Sequence, residues 1–339
     1  MMDLNTTWFL LIGIVLVGYA VLDGFDLGVG VLHLFARNEQ ERRLNVNAIG
    51  PLWDGNEVWL LTGGGAMFAA FPVLYATVFS GFYLAFMLLL LALIFRAVSI
   101  EFRGQVDSPR WRAFWDWAFG LGSLVPALLF GVAVGNVVRG LPITADRSLD
   151  VSPVALLNPY SLLIGLLSVV MFVMHGAAFL ATKTDGEQQQ RMGQWLVRAW
   201  MAVVVLYAIA TAATIFVSPF LFEGTLGRPV FWILLVLLLS AMAGVPLSVG
   251  TRNHLRAFVS TAVMIAAMVG LTGVSLYPRW VPSRIDLNYS LTIYNTASTP
   301  RTLTVMLVIA AIAVRIVLAY TAYVYRVFWG KVAIAEDSY

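Results

Sequence analysis

The sequence predicts an all-α polytopic membrane protein, and three observations lead to that class. Of its 339 residues, 60% are hydrophobic and only 12% are charged, and the mean hydropathy is +0.85. So few polar side chains could not cover the surface of a water-soluble domain of this length. Apolar stretches recur along the whole chain, and most reach the roughly 20 residues that a helix needs to cross a bilayer.

Nine such stretches are expected, with mostly short polar segments between them. Their ranges are 8–35, 52–71, 74–102, 113–138, 159–182, 195–218, 229–249, 256–277 and 302–328. Phe71-Pro72-Val73 separates the second stretch from the third, and a proline at that place predicts a tight turn. The chain is therefore expected to form one integral membrane domain with nine transmembrane helices.

An internal repeat divides these helices into two groups. Leu10-Leu11-Ile12-Gly13 recurs as Leu162-Leu163-Ile164-Gly165, and the same offset aligns Gly24 with Gly176. Residues of these types are common in membrane spans, so the repeat is weak, but it favours two related four-helix bundles in parallel orientation. The two bundles and an added ninth helix cover 1–138, 159–277 and 302–328.

The positions of Lys and Arg predict which side of the membrane each loop occupies. With the N-terminus outside, thirteen of these residues fall in the inner loops and tail, and six fall in the outer loops. The positive-inside rule therefore predicts an external N-terminus and a cytoplasmic C-terminus. The same loop bias accounts for the pI near 9.2, so a nucleic-acid partner is not expected.

Metal and haem ligands are sparse in this sequence. Cysteine is absent, which excludes disulfides, thiolate metal sites, iron–sulfur clusters and covalently attached c-type haem. The three histidines, His33, His175 and His254, do not have metal-cluster spacing. His175 in the fifth span could bind haem axially, but a lone histidine beside Gly176 is more often a satisfied interior side chain. We therefore expect neither a metal nor a cofactor held by this chain's own ligands.

Acidic residues stand inside or beside the first two spans, where an ionised carboxylate is costly unless it is paired, protonated or hydrated. Asp54 and Glu57 lie three residues apart at the start of the second span. Asp23 and Asp26 have the same spacing in the first span. Residues three apart share a helix face. The predicted topology places all four in the inner half of the membrane.

Arg96 and Glu101, at the inner end of the third span, complete this group. A single arginine cannot neutralise four carboxylates, so one interpretation is a hydrated funnel that passes protons from the cytoplasm. A second is a charge-paired knot that only fixes the positions of the helices. For Asp54 and Glu57 a third is a capping box at the start of a helix. The residues by themselves leave these alternatives open.

Three segments carry a family resemblance. They are Tyr19-Ala20-Val21-Leu22-Asp23-Gly24-Phe25-Asp26-Leu27-Gly28-Val29-Gly30, then Trp53-Asp54-Gly55-Asn56-Glu57-Val58-Trp59-Leu60, and finally Phe71-Pro72 followed by Arg96 and Glu101-Phe102-Arg103. Together with the length and the number of spans, they resemble subunit II of the cytochrome bd quinol oxidase family. The first two segments are specific in combination, and the third is looser.

This resemblance implies a function, cofactors and partners. The family's complex oxidises quinol with O₂ and forms water in the bacterial cytoplasmic membrane. Subunit I carries two haems b and one haem d, whereas subunit II shares the fold, supplies no haem ligand and packs on subunit I as a heterodimer. Membrane lipid, a bound quinone and small accessory subunits are further partners that the resemblance allows.

The resemblance also suggests a site. In the family, the acid of the Trp-Asp-Gly-Asn-Glu-Val-Trp motif is proposed to line a proton path toward haem d, and that acid is Asp54 here. The expected proton-path residues are Asp54, Glu57, Asp23, Asp26, Arg96 and Glu101. Two rival functions stay open, a proton-coupled transporter that works without a haem partner and a purely structural membrane subunit that tolerates neutral residues at these acids.

Overall fold

The computed structural model describes residues 3–149 and 151–332, and twelve α-helices lie in that part of the chain. They are α1 (Leu4–His33), α2 (Glu39–Ile49), α3 (Trp53–Ala70), α4 (Pro72–Gly81), α5 (Tyr83–Phe102), α6 (Pro109–Arg139), α7 (Pro153–Leu156), α8 (Pro159–Lys183), α9 (Gly186–Val217), α10 (Pro229–Gly250), α11 (His254–Leu276) and α12 (Pro300–Val327). The loop before α12 holds two short antiparallel strands, β1 (Arg279–Val281) and β2 (Leu291–Thr292).

Eight of the described helices are long and apolar enough to cross a membrane. They are α1, α5, α6, α8, α9, α10, α11 and α12. The prediction of a helical polytopic membrane protein is therefore confirmed. The helix α3 is not among the eight; its first turns hold Asp54, Asn56 and Glu57, which lower its hydropathy.

The predicted span 74–102 is two helices in the structure. Phe82, with φ −101° and ψ 17°, lies between the end of α4 and the start of α5. Ser80-Gly81 stands directly before this position, but apolar residues surround the pair, so hydropathy averaged over the whole stretch does not show the break. The expected turn before this span is present, because Phe71 ends α3 and Pro72 begins α4. Pro72 has no N–H to donate, and the first helical position needs none.

The helix α1 lies in the middle of the bundle, in contact with α3, α6, α8 and α11. Its closest approach is to α8, where Gly28 lies against Gly176. A Cβ atom on Gly28 would stand 1.9 Å from the carbonyl oxygen of Phe172, so only glycine fits there.

The helix α6 gives the relative direction of α1 and α8. Gly30 of α1 meets Ser123 and Leu34 meets Gly120, so α6 is antiparallel to α1. Gly131 of α6 meets Gly165 and Gly135 meets Ser161, so α6 is also antiparallel to α8, and α1 and α8 run parallel.

Two clusters of buried apolar side chains form the core. The larger surrounds the second half of α1 and includes Phe25, Phe172 and Phe179. The smaller surrounds the first half of α1 and reaches the two strands through Val281 and Leu291. Large apolar side chains that stay exposed lie mainly on α5, α9, α10 and α12, which leaves these helices to face lipid or a partner chain.

Replacement of Gly28 by alanine tests the close approach of α1 and α8. Because the added methyl group would collide with backbone atoms of α8, we expect Gly28→Ala to lower the stability by about 1–3 kcal/mol, the usual cost of overpacking. Thermal unfolding of the detergent-purified protein measures the change. Gly13→Ala is the matched control, since a Cβ there meets nothing within 4 Å. Equal stability of the two variants would show that α1 and α8 do not touch at Gly28.

Candidate functional site

A fully buried arginine joins three of the first helices. Arg96 of α5 has 0% of its surface exposed, as has Asp23 of α1. The guanidinium donates two hydrogen bonds to this carboxylate, from Nη2 to Oδ1 at 2.6 Å and from Nη1 to Oδ2 at 3.0 Å. Nη1 also donates to Oε1 of Glu57 on α3 at 3.1 Å. This bidentate geometry is the strongest form of arginine–carboxylate pairing, and it fixes α1, α3 and α5 relative to one another.

Asp26 extends the cluster by one helical turn along α1. It is also fully buried, and its Oδ2 lies 4.0 Å from Nη2 of Arg96. Asn56 of α3 donates from Nδ2 to the same oxygen at 2.7 Å, and the hydroxyl of Tyr325 on α12 donates to Oδ1 of Asn56 at 3.1 Å. Oδ1 of Asp26 has no hydrogen-bond partner in the described part of the chain. That buried oxygen is a place for a proton or for a water molecule.

The charges of this cluster do not balance. Three carboxyl groups, those of Asp23, Asp26 and Glu57, surround the single guanidinium of Arg96. If all three were ionised, two negative charges would remain without a cation in the described surroundings, and burial of an unpaired charge is costly. The site can therefore hold protons on its carboxyl groups. Glu57, with 22% of its side chain exposed, is the member that reaches toward solvent.

The other two predicted site residues lie outside this buried cluster. Asp54 is exposed in the first turn of α3, one turn from Glu57, and Glu101 is exposed near the end of α5. The structure thus brings together Asp23, Asp26, Glu57 and Arg96 and leaves two acids at the surface. The capping-box interpretation is wrong, because Leu52 is the N-cap of α3 and no side chain caps that helix.

A second buried polar cluster, centred on Asp116 of α6, has no counterpart in the sequence prediction. Oδ1 of Asp116 lies 2.7 Å from Nε2 of His33 and 2.6 Å from Nε of Arg103, and its Oδ2 lies 2.9 Å from Nη1 of Arg42. Arg103 also binds both oxygens of Glu39, and these hydrogen bonds hold the pKa of that surface carboxyl below its ordinary value. In this cluster two arginines balance two carboxylates, so its role is to hold the helices together.

Helical spacing was the signal that could have predicted this second cluster. His33 follows Asp26 by two turns on α1, and Arg103 follows Arg96 by two turns on α5. Residues seven apart share a helix face, so a contact between Asp26 and Arg96 predicts a second contact between His33 and the region of Arg103. Asp116 itself had no such signal, because its partner helix could not be identified from the sequence.

The surroundings of His175, the histidine that could have bound haem axially, do not fit a haem. His175 is fully buried, with Nδ1 2.7 Å from the Thr261 hydroxyl and Nε2 3.0 Å from the carbonyl oxygen of Val21. Both ring nitrogens are engaged, as for a satisfied interior side chain, so neither is available to an axial iron. Nε2 of His33 is taken by Asp116. Within the described residues, no group of three or more His, Asp or Glu side chains is arranged to hold a metal ion.

Comparison with known proteins places this arrangement in a family. The family model described as "Cytochrome bd terminal oxidase subunit II" matches residues 4–328. "Cytochrome bd-I ubiquinol oxidase subunit 2" of Escherichia coli strain K12 is 36% identical over 360 residues, covering 97% of this chain and 95% of that protein. "Cytochrome bd ubiquinol oxidase subunit 2" of Bacillus subtilis strain 168 is 37% identical over 339 residues, covering 99% of each.

A solved structure shares the fold. A chain of the bd oxidase from Geobacillus thermodenitrificans superposes with a TM-score of 0.78 at 17% identity, covering 97% of this chain and 99% of that one. At this identity the likeness shows the helical architecture alone. The two sequence relatives and the family model cover nearly the whole chain, and they match it through the helices that carry the Arg96 cluster. The chain therefore belongs to the cytochrome bd terminal oxidase subunit II family.

Proposed function

We propose that this chain packs against subunit I of a quinol:O₂ oxidoreductase and supplies part of its proton-uptake path. The family is that of a terminal oxidase, and such a complex contains haem. In the proposed arrangement, subunit I holds two haems b and one haem d, where electron transfer and O₂ reduction take place. The buried histidines His33 and His175 are hydrogen-bonded within this chain, which supports a role as scaffold and proton conductor.

The main observation in support of a proton path is the excess of carboxyl groups around Arg96. Reduction of O₂ to water consumes protons, so a path to the reaction site must take them from the cytoplasm. Exposed Asp54 stands at the mouth of this path, and partly exposed Glu57 follows one turn further along α3. From there, protons reach the buried pair Asp23 and Asp26, where an excess of carboxyl groups over cations leaves sites for them.

In this proposal Arg96 keeps the acidic side chains of the cluster in position. Its two hydrogen bonds to Asp23 fix the position of that carboxyl group, while Asp26, 4.0 Å from the guanidinium, and Glu57 exchange protons with water. Glu101, exposed near the end of α5, is a second acid on the same side and is proposed to collect protons at the surface. Each proton moves between carboxyl oxygens or water, and no redox step occurs within this chain.

The membrane topology of the proposal has nine crossings. The eight long apolar helices are joined by α3, whose 18 residues would span about 27 Å, close to the roughly 30 Å of a bilayer core. With the N-terminus outside and the C-terminus in the cytoplasm, the acidic start of α3 faces the cytoplasm. The parallel contact of α1 with α8 supports two related bundles, 1–138 and 159–277, with α12 added. Membrane lipid covers the exposed apolar helices, and small accessory subunits are compatible with this arrangement.

The second candidate function is a purely structural one, favoured by the bidentate bond between Arg96 and Asp23. In that case the cluster only locks α1, α3 and α5 together, and the acids could be neutralised without loss of turnover. A proton-coupled transporter, by contrast, has no support from the relatives, which are named as oxidase subunits.

The substitution Asp54→Asn distinguishes the proposed proton path from a purely structural role of the cluster. We expect Asp54→Asn to slow O₂ reduction by about tenfold or more, since loss of a positioned proton carrier commonly costs 10²–10⁴-fold. Oxygen consumption by the purified complex with excess quinol measures the rate, and the visible spectrum reports the haems. The spectrum should not change, because Asp54 is exposed and the haems are proposed to lie in subunit I.

Asp107→Asn is the matched control for this experiment. Its side chain is 94% exposed and, among the residues that the structure describes, is paired with Arg112 alone, so the same chemical change there should leave turnover intact. Full turnover in Asp54→Asn would remove Asp54 from the path. A lost haem signal would show instead that this residue is structural.

A double-variant cycle tests the charge balance at Arg96. We expect Arg96→Gln to destabilise the complex by about 3–5 kcal/mol, because it leaves buried carboxylates without their cation. Adding Asp23→Asn should restore part of that stability, since it removes the carboxylate that Arg96 binds most closely. Thermal unfolding of the purified complex measures both. Strictly additive losses in the double variant would contradict a coupled ion pair.

A further inference from the structure

A cavity outside the Arg96 cluster opens where α8 and α12 end and α11 begins, with a volume of about 670 Å³. Its lining includes the basic side chains Lys183, Arg252, His254 and Lys331, and none of its described lining residues is Asp or Glu. A cavity of this size suits a small molecule or a lipid headgroup. Because its volume suits a ligand of this kind and its charged lining residues are all basic, we propose that the cavity binds the phosphate group of an anionic ligand.

Two of the basic groups have no partner that would explain their position. The side chains of Arg252 and His254 make no hydrogen bond or ion pair with the described part of the chain. Lys331 pairs with Asp185, so its charge is already balanced. Nζ of Lys183 donates to the carbonyl oxygen of Phe328 at 2.7 Å, which leaves its positive charge uncompensated. The cavity therefore carries at least two positive charges from Lys183 and Arg252.

Aromatic rings form the remainder of the wall. Phe179 and Phe258 lie on the interior side, and Phe328 and Trp329, which follow the end of α12, lie on the exposed side. The ring of Phe179 lies 5.6 Å from Nζ of Lys183. Basic groups beside an apolar wall at the ends of membrane helices suit a phospholipid, with its phosphate on the cations and its glycerol and acyl carbons on the rings. A free phosphate would use the cations alone.

The cavity also communicates with the Arg96 cluster. Tyr325 lines the cavity, and its hydroxyl donates to Asn56, which in turn donates to Asp26. Few side chains hold α12, since Leu303 is its one buried residue in the described part. An occupant that bridges Lys183 and Arg252 would therefore fix the end of α12 and the position of Tyr325. This inference extends the lipid contact of the proposed function.

Binding to the intact, delipidated complex tests the site. Dioleoyl phosphatidylglycerol is titrated into the detergent-solubilised complex, and native mass spectrometry counts its adducts. We expect one saturable adduct in the parent and an affinity about five- to tenfold weaker in Arg252→Asn, the effect of removing one basic residue from a lipid-facing site. Arg252 has a φ of 55°, and asparagine tolerates that conformation. Lys183→Gln provides a second, independent loss of charge.

Arg256→Gln is the matched control, since it removes an exposed positive charge from the same helix start without touching the cavity. A parallel titration with inorganic phosphate, followed by thermal unfolding, identifies the source. If phosphate gives the same dependence on Arg252, the ligand is a free phosphate compound; if only the lipid does, it is a headgroup. The site is refuted if the parent shows no saturable adduct, if neither cavity variant weakens binding, or if Arg256→Gln weakens it equally. Turnover is not the readout, so failure here leaves the proton path untouched.

Discussion

A guanidinium with no access to solvent holds the first half of this protein together. Arg96 is too polar to be buried alone, and the structure surrounds it with carboxyl groups from α1 and α3. Because each helix contributes one side of the contact, the height and rotation of α1, α3 and α5 are fixed by one group. The same contact explains why α3 can begin with three polar residues beside an apolar bundle, since Asn56 turns toward Asp26 of α1 and Glu57 toward Arg96 of α5.

The central helix combines two requirements that compete for space. In its second half, α1 must approach α8 closely at Gly28, yet it also carries Asp23, Asp26 and His33. These needs fit on one helix because they use different faces. Gly24 and Gly28 face α8, where packing requires close backbones. The ionisable residues face other neighbours: Asp23 faces α5, Asp26 faces α3 and His33 faces α6. The apolar side chains of the larger core cluster separate the polar groups from lipid.

The two polar clusters along α1 differ in charge balance, and this difference assigns them different roles. Around Asp116, the arginines Arg42 and Arg103 and the hydrogen bond from His33 satisfy the acid fully. Around Arg96 the acids exceed the cations, and one oxygen of Asp26 has no partner among the described residues. A balanced cluster serves rigidity, whereas an unbalanced one has room for protons. The proposed path therefore runs through the Arg96 cluster.

The sequence by itself determined the membrane class and most of the helices, and it named the four ionisable residues that meet at the guanidinium of Arg96, because these depend on composition and on spacing within one helix. It also placed Asp23 beside Asp26 and Asp54 one turn before Glu57. Only the tertiary structure decided that Arg96 binds Asp23 twice, that Asp54 stays exposed, that Asp116 gathers His33 and Arg103, and that the third predicted span breaks at Phe82. Membrane helices are apolar on nearly every side, so their pattern does not encode which face meets which neighbour. That choice is made by packing between helices, where the fit of small residues and the pairing of a few buried charges outweigh local preference.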